Sequence, residues 1–187
     1  MDSGRSERAV PTAVKILVAG GFGAGKTTLV GAVSEIRPLQ TEESLTSAGV
    51  GTDDVTGVEG KSTTTVAMDF GRITIGSQVV VYLFGTPGQD RFWFLWDELA
   101  VGAVVLADTR RLADCFASID YFERRGTPFV VAVNCFDDAV SYAEGEVREA
   151  LDLDGRVPLL LCDARDRGSA KAVLIGLVEH VLSLTRA

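Results

Sequence analysis

Eight residues, Gly20-Gly21-Phe22-Gly23-Ala24-Gly25-Lys26-Thr27, restrict this chain more than any other stretch. They fit G-x-x-x-x-G-K-[ST] at every constrained position, behind an apolar run, Val14 to Ala19, and ahead of a helix-like segment, Thr28 to Val33. Strand, glycine-rich loop and helix in that order make a phosphate loop, whereas a glycine-rich turn that binds nothing needs neither flank. The glycines let the backbone wrap closely, so that consecutive N–H groups and the positive end of a helix face phosphate oxygens. Gly21, Phe22, Gly23, Ala24, Gly25, Lys26, Thr27 and Thr28 are therefore the expected phosphate contacts. Lys26 reaches the β- and γ-phosphates in such a loop, and the Thr27 hydroxyl ligates Mg²⁺.

The remaining chain reads as alternating strands and helices. Residues 1–13 are expected to be a flexible tail, and 14–187 one domain of ordinary size. Arg37 to Ser62 has no sustained period and reads as a long loop. Thr65 to Ile75 and Val79 to Phe84 read as an antiparallel hairpin about Gly76-Ser77. Further strands are expected at Val101–Ala107, Phe129–Val133 and Val157–Leu161, with helices at Arg111–Arg124, Tyr142–Leu151 and Ala170–Leu184. The sum is an α/β fold: a mostly parallel six-stranded sheet with helices on both faces and ligands at the carboxyl ends of the strands.

A net charge of −8 argues against a nucleic-acid surface. No apolar run approaches the ~20 residues of a membrane span. Three cysteines, Cys115, Cys135 and Cys162, suit buried thiols in a reducing compartment better than bridges or a zinc site.

Two short segments bear on the base. Asn134-Cys135-Phe136-Asp137 follows a buried strand, and a carboxylate there can accept from both N1–H and the N2 amine of guanine. Adenine has no such donor pair and leaves the carboxylate unpaired. Cys162-Asp163-Ala164-Arg165 ends the next strand, with the Ala164 N–H expected to face guanine O6. Either segment alone is equally a turn after a strand. Their order behind a phosphate loop is what makes them a base site.

With these motifs, and with Pro87-Gly88-Gln89, the chain resembles the Ras-like small GTPases from about Val14 to Leu184. Thr86-Pro87-Gly88-Gln89 and Thr63–Gly71 resemble a bacterial branch holding the polarity GTPases of the MglA type and, more closely, the actinobacterial conservon proteins. The resemblance implies a GTP/GDP switch with Mg²⁺. Gln89 would orient the attacking water, aided by Lys26, and Gly88 would be a nucleotide contact. Thr65 or its neighbour Thr64 would be the switch threonine that meets Mg²⁺ beside Thr27. It further implies a Roadblock-type regulatory partner with a sensor-kinase system nearby.

Four departures from the pattern matter. Gly85 stands where the usual Mg²⁺-supporting Asp belongs; Asp69 is either its substitute or an outward strand carboxylate. Cys135 replaces the usual lysine, Phe22 replaces a glycine, and no arginine matches an internal finger, so hydrolysis should be slow, on the order of 10⁻⁴ to 10⁻² s⁻¹. Arg110 and Arg111 are more cheaply explained by salt bridges. Phe92 to Trp96 holds four aromatics in five residues, more than one helix face can bury, and is the expected partner surface. Without a C-terminal lipidation cysteine, the expectation is a cytoplasmic protein, monomeric or weakly self-associating, that meets membranes only through a partner. Two rivals stand beside the switch: a nucleotide-dependent binding module with negligible hydrolysis, and a small-molecule kinase, for which an arginine-rich lid is missing.

Overall fold

A computed structural model describes residues 11–45, 64–86 and 100–186. Seven strands form one sheet in the order β2-β3-β4-β1-β5-β6-β7. They span Thr12–Gly20 (β1), Leu39–Leu45 (β2), Thr64–Ile75 (β3), Val79–Gly85 (β4), Ala100–Ala107 (β5), Phe129–Asn134 (β6) and Leu159–Cys162 (β7). The α-helices are Lys26–Val33 (α1), Phe116–Arg125 (α2), Glu144–Ala150 (α3) and Arg167–Thr185 (α4).

β1 pairs in parallel with β4 and β5, and β5, β6 and β7 continue the parallel ladder. β3 runs antiparallel to β4, as the short Gly76 connection demands. The expected α/β class holds, with one addition to its six strands. β2 pairs antiparallel with β3 inside the segment read as a loop. Its sequence, LQTEESL, has no apolar alternation, because an edge strand is held by ladder hydrogen bonds rather than by a buried face.

The central strands read as unbroken apolar runs because both of their faces are covered. Ile16 and Val18 of β1, Val104 and Leu106 of β5, and Val130 and Ala132 of β6 pack with α1 and α4. The alternate residues Leu17, Ala19, Ala103, Val105, Val131 and Val133 pack with α2 and α3. α4, at 19 residues, is long and apolar enough by composition to cross a bilayer, yet Ala170, Val173, Leu174 and Leu177 bury one of its faces in the core.

Helix starts are set by local hydrogen bonds. Asp166 accepts the Ser169 N–H and starts α4 three residues before the expected Ala170. Asp108 accepts the Arg110 N–H, so Thr109–Cys115 winds as a 3₁₀ segment kinked at Arg111 before α2 begins. β1 lies between β4 and β5, where the chain turns from one half of the sheet to the other. The phosphate loop leaves β1 at this point, and the segments beginning at Asn134 and Cys162 leave the carboxyl ends of β6 and β7.

Candidate functional site

The phosphate loop turns into α1 through Gly25, whose φ of +104° is open to glycine but strained for other residues. A Cβ there would also lie 2.5 Å from Asn134 Nδ2, so both the backbone and the space require glycine. The first-turn N–H groups of α1 lack intrahelical acceptors and form the positive end of the helix. Lys26 folds along the loop, its ammonium donating to the carbonyls of Gly20 at 2.9 Å and Gly21 at 2.6 Å. Burial lowers its pKa, and the nearby Asp69 carboxylate opposes that shift. Phe22 projects outward, 82% exposed. Ala24 is buried, while Gly23 and Thr28 are exposed.

Asp69 turns toward the loop. Its Oδ2 accepts from the Thr27 hydroxyl at 2.5 Å, across 42 residues of sequence. In the ladder Asp69 lies directly opposite Gly85. A Cβ added at Gly85 would stand 3.0 Å from Asp69 Cβ and 3.2 Å from its Oδ2. The carboxylate thus fills the space that a side chain at 85 would enter. These groups fit a hard cation: one hydroxyl with free lone pairs and one carboxylate, the remaining ligands being left to water and phosphate. Thr65 lies on β3 opposite Ser44 of β2. Gly88, Gln89 and the aromatic stretch 92–96 fall outside the described residues.

Asn134 ends β6 as a buried side chain, 5% exposed. Its Nδ2 donates to the Ala24 carbonyl at 3.0 Å, and its Oδ1 accepts the Ala164 N–H at 3.0 Å. One amide therefore ties the phosphate loop to the loop after β7. The Ala164 N–H, expected to face guanine O6, is donated here to Asn134 Oδ1.

Asp137 is exposed and holds a forked pair with Arg165, Nη1 to Oδ2 at 2.8 Å and Nη2 to Oδ1 at 3.0 Å. The same guanidinium reaches Asp163 through Nε to Oδ1 at 2.9 Å and Nη2 to Oδ2 at 3.0 Å. Hydrogen bonds from Arg165 hold both carboxyl groups below their usual range. Arg165 was not foreseen as a site residue. It directly follows the Cys162-Asp163-Ala164 motif, but its reach to Asp137 depends on how two loops face each other. On the opposite side of the loop after β6, Arg110 pairs with Asp108 and Asp138 and stacks 3.8 Å over the Phe136 ring. Arg111 pairs with Asp114. Both arginines are engaged in the salt bridges expected of them.

The thiols divide. Cys115 and Cys162 are buried, and burial pushes each up to about 11, so both are protonated and inert near neutrality. Cys135 is exposed, contrary to the expectation of buried thiols, because it sits one residue beyond β6. Its N–H donates to the Cys162 carbonyl at 2.7 Å, joining the two loops.

Among solved structures, the G domain of the T. maritima FeoB iron transporter matches with a TM-score of 0.61 at 17% identity, over 90% of this chain and 99% of that one. The FeoB G-domain from Methanococcus jannaschii matches at 0.59 and 13%, over 91% and 98%. The cytosolic domain of T. maritima FeoB in its GMPPNP form matches at 0.62 and 17%, over 90% of this chain but 64% of that longer one. These likenesses establish the fold as that of the P-loop GTPases. No curated protein sequence matches. The family model described as "conserved hypothetical ATP binding protein" matches residues 18–184, from the end of β1 through α4. The chain belongs to that family, as a nucleotide-binding P-loop domain with the GTPase fold.

Proposed function

We propose that this domain binds GTP and GDP with Mg²⁺, hydrolyses GTP slowly, and works as a switch read by a partner protein. The observation that carries the reading is the convergence of Lys26, Thr27 and Asp69 on the phosphate loop, while Asn134 ties the same loop, at Ala24, to the loop after β7. Lys26 would neutralise β- and γ-phosphate charge. Thr27 would ligate Mg²⁺, with Asp69 holding the hydroxyl oriented and supporting the metal from the position opposite Gly85. The metal's contribution is to neutralise charge on the phosphate oxygens.

Gln89 would orient a water for in-line attack on the γ-phosphorus, the bond to the β-bridging oxygen breaking to release GDP and phosphate. Gln89→Ala is expected to lower single-turnover hydrolysis at least tenfold with GTP affinity unchanged. Equal rates would remove Gln89 from the chemistry. Within this reading the branch is that of the bacterial polarity and conservon GTPases. The partner is a Roadblock-type protein docking on Phe92–Trp96, in the cytoplasm and near a sensor kinase. Solved structures of the T. maritima FeoB cytosolic domain in GDP and GMPPNP forms support guanine as the base.

The second reading is ATP. The family's description favours it, and so does the Arg165–Asp137 pair, which covers the carboxylate that would select guanine. Titrating the purified protein with fluorescent GDP, GTP and ATP analogues, with and without Mg²⁺, separates the two. Tight Mg²⁺-dependent guanine binding with little ATP affinity is expected. Equal affinities would mean that the base loops do not discriminate, and ATP would be the physiological candidate.

A further inference from the structure

The forked contact between Arg165 and Asp137 has the same donor arrangement as the guanine edge. A guanidinium presents two parallel N–H groups to the two oxygens of a carboxylate. Guanine presents N1–H and one N2–H in the same way. In this structure Arg165 Nη1 and Nη2 occupy that face of Asp137, at 2.8 Å and 3.0 Å. Both donors cannot use the same pair of lone-pair directions at once. Arg165 also has somewhere to stay when released, because Nε and Nη2 remain on Asp163.

We infer that Arg165 is a specificity-determining residue which covers Asp137, competes with guanine for it, and thereby weakens the preference for guanine over adenine. This rests on the proposed role of Asp137 in base reading. Two effects act in the same direction. A guanine nucleotide must displace the guanidinium before Asp137 can accept from the base. An adenine nucleotide, which offers no donor pair, leaves the guanidinium in place, so the carboxylate stays paired and the usual penalty against adenine is blunted.

The pair lies in solvent, with Arg165 55% and Asp137 84% exposed. It is therefore a cover rather than a lock, and its weight is that of an exposed ion pair, about two- to fivefold in binding.

The test is the ratio of GDP to ADP affinity, measured by calorimetry or fluorescence competition. Both ligands carry the same diphosphate, so the ratio cancels what happens at the phosphate loop. Arg165→Ala is expected to raise the ratio about two- to fivefold. High salt should raise the wild-type ratio toward the same value, since screening loosens the pair. In an Asp137→Ala background, Arg165→Ala should have no effect on the ratio.

If Arg165→Ala leaves the ratio unchanged or lowers it, while Asp137→Ala on the Arg165→Ala background collapses it, the competition is wrong and guanine reading stands. If Asp137→Ala leaves the ratio unchanged on that same background, guanine reading itself falls and the inference falls with it. Loss of all binding in Arg165→Ala, with the fold intact by circular dichroism, would make Arg165 a support for the site and also overturn the inference.

Discussion

Replacing Asn134 with alanine is expected to destabilise the domain by about 2–5 kcal/mol and to weaken nucleotide binding at least tenfold. The amide is buried, and both of its functional groups are used, Nδ2 on the Ala24 carbonyl and Oδ1 on the Ala164 N–H. Truncation leaves two partners without hydrogen bonds, each costing about 1–3 kcal/mol where water cannot reach. Ala24 and Ala164 are themselves 2% and 1% exposed, so water has little access. With a urea slope of about 2 kcal/mol/M, the unfolding midpoint should fall by about 1–2.5 M.

Asn134→Asp sharpens the test. It keeps the acceptor for Ala164 but turns the donor into a carboxylate oxygen facing the Ala24 carbonyl. A clamp that depends on both bonds predicts that aspartate is no better than alanine. A midpoint within 0.3 M of wild type (about 0.6 kcal/mol on that slope) for both variants would mean that the amide is dispensable and that the phosphate loop is held by other contacts.

The role of Asn134 also marks where sequence reasoning stops. Its place after β6 was legible, because Phe129–Val133 is an apolar run of strand length buried on both faces. That its side chain bonds residues 110 and 30 positions away could not be read locally. The same holds for Arg165, which meets Asp137 across 28 residues.

β2 was hidden for a different reason: an edge strand needs backbone partners, and Leu39–Leu45 advertises none in its side chains. Asp69 lies between these cases. The hairpin turn was legible, and counting outward from it pairs Ile75 with Val79 and ends at Asp69 opposite Gly85. Register was thus available from the turn, but the direction in which Asp69 points required the packing of α1 against β3.

That pairing makes the second large effect a matter of exchange between two positions. Asp69→Ala is expected to weaken the Mg²⁺ dependence of nucleotide binding by about 10–100-fold, the usual cost of removing a group that orients or supports a metal ligand. Thr27 then loses the acceptor that fixes its hydroxyl. Gly85→Asp in the wild-type background should also harm binding, because its Cβ would lie 3.0 Å from Asp69 Cβ and a second carboxylate would crowd the first.

The double variant, Asp69→Gly with Gly85→Asp, removes both problems. It exchanges carboxylate and glycine between residues that face each other in the ladder, restoring one carboxylate to one space. Recovery of Mg²⁺-dependent GDP binding to within a few-fold of wild type would show that the charge matters and the strand that carries it does not. A double variant no better than Asp69→Ala, with an unchanged unfolding midpoint, would assign Asp69 to orienting Thr27 alone and take the carboxylate out of metal support.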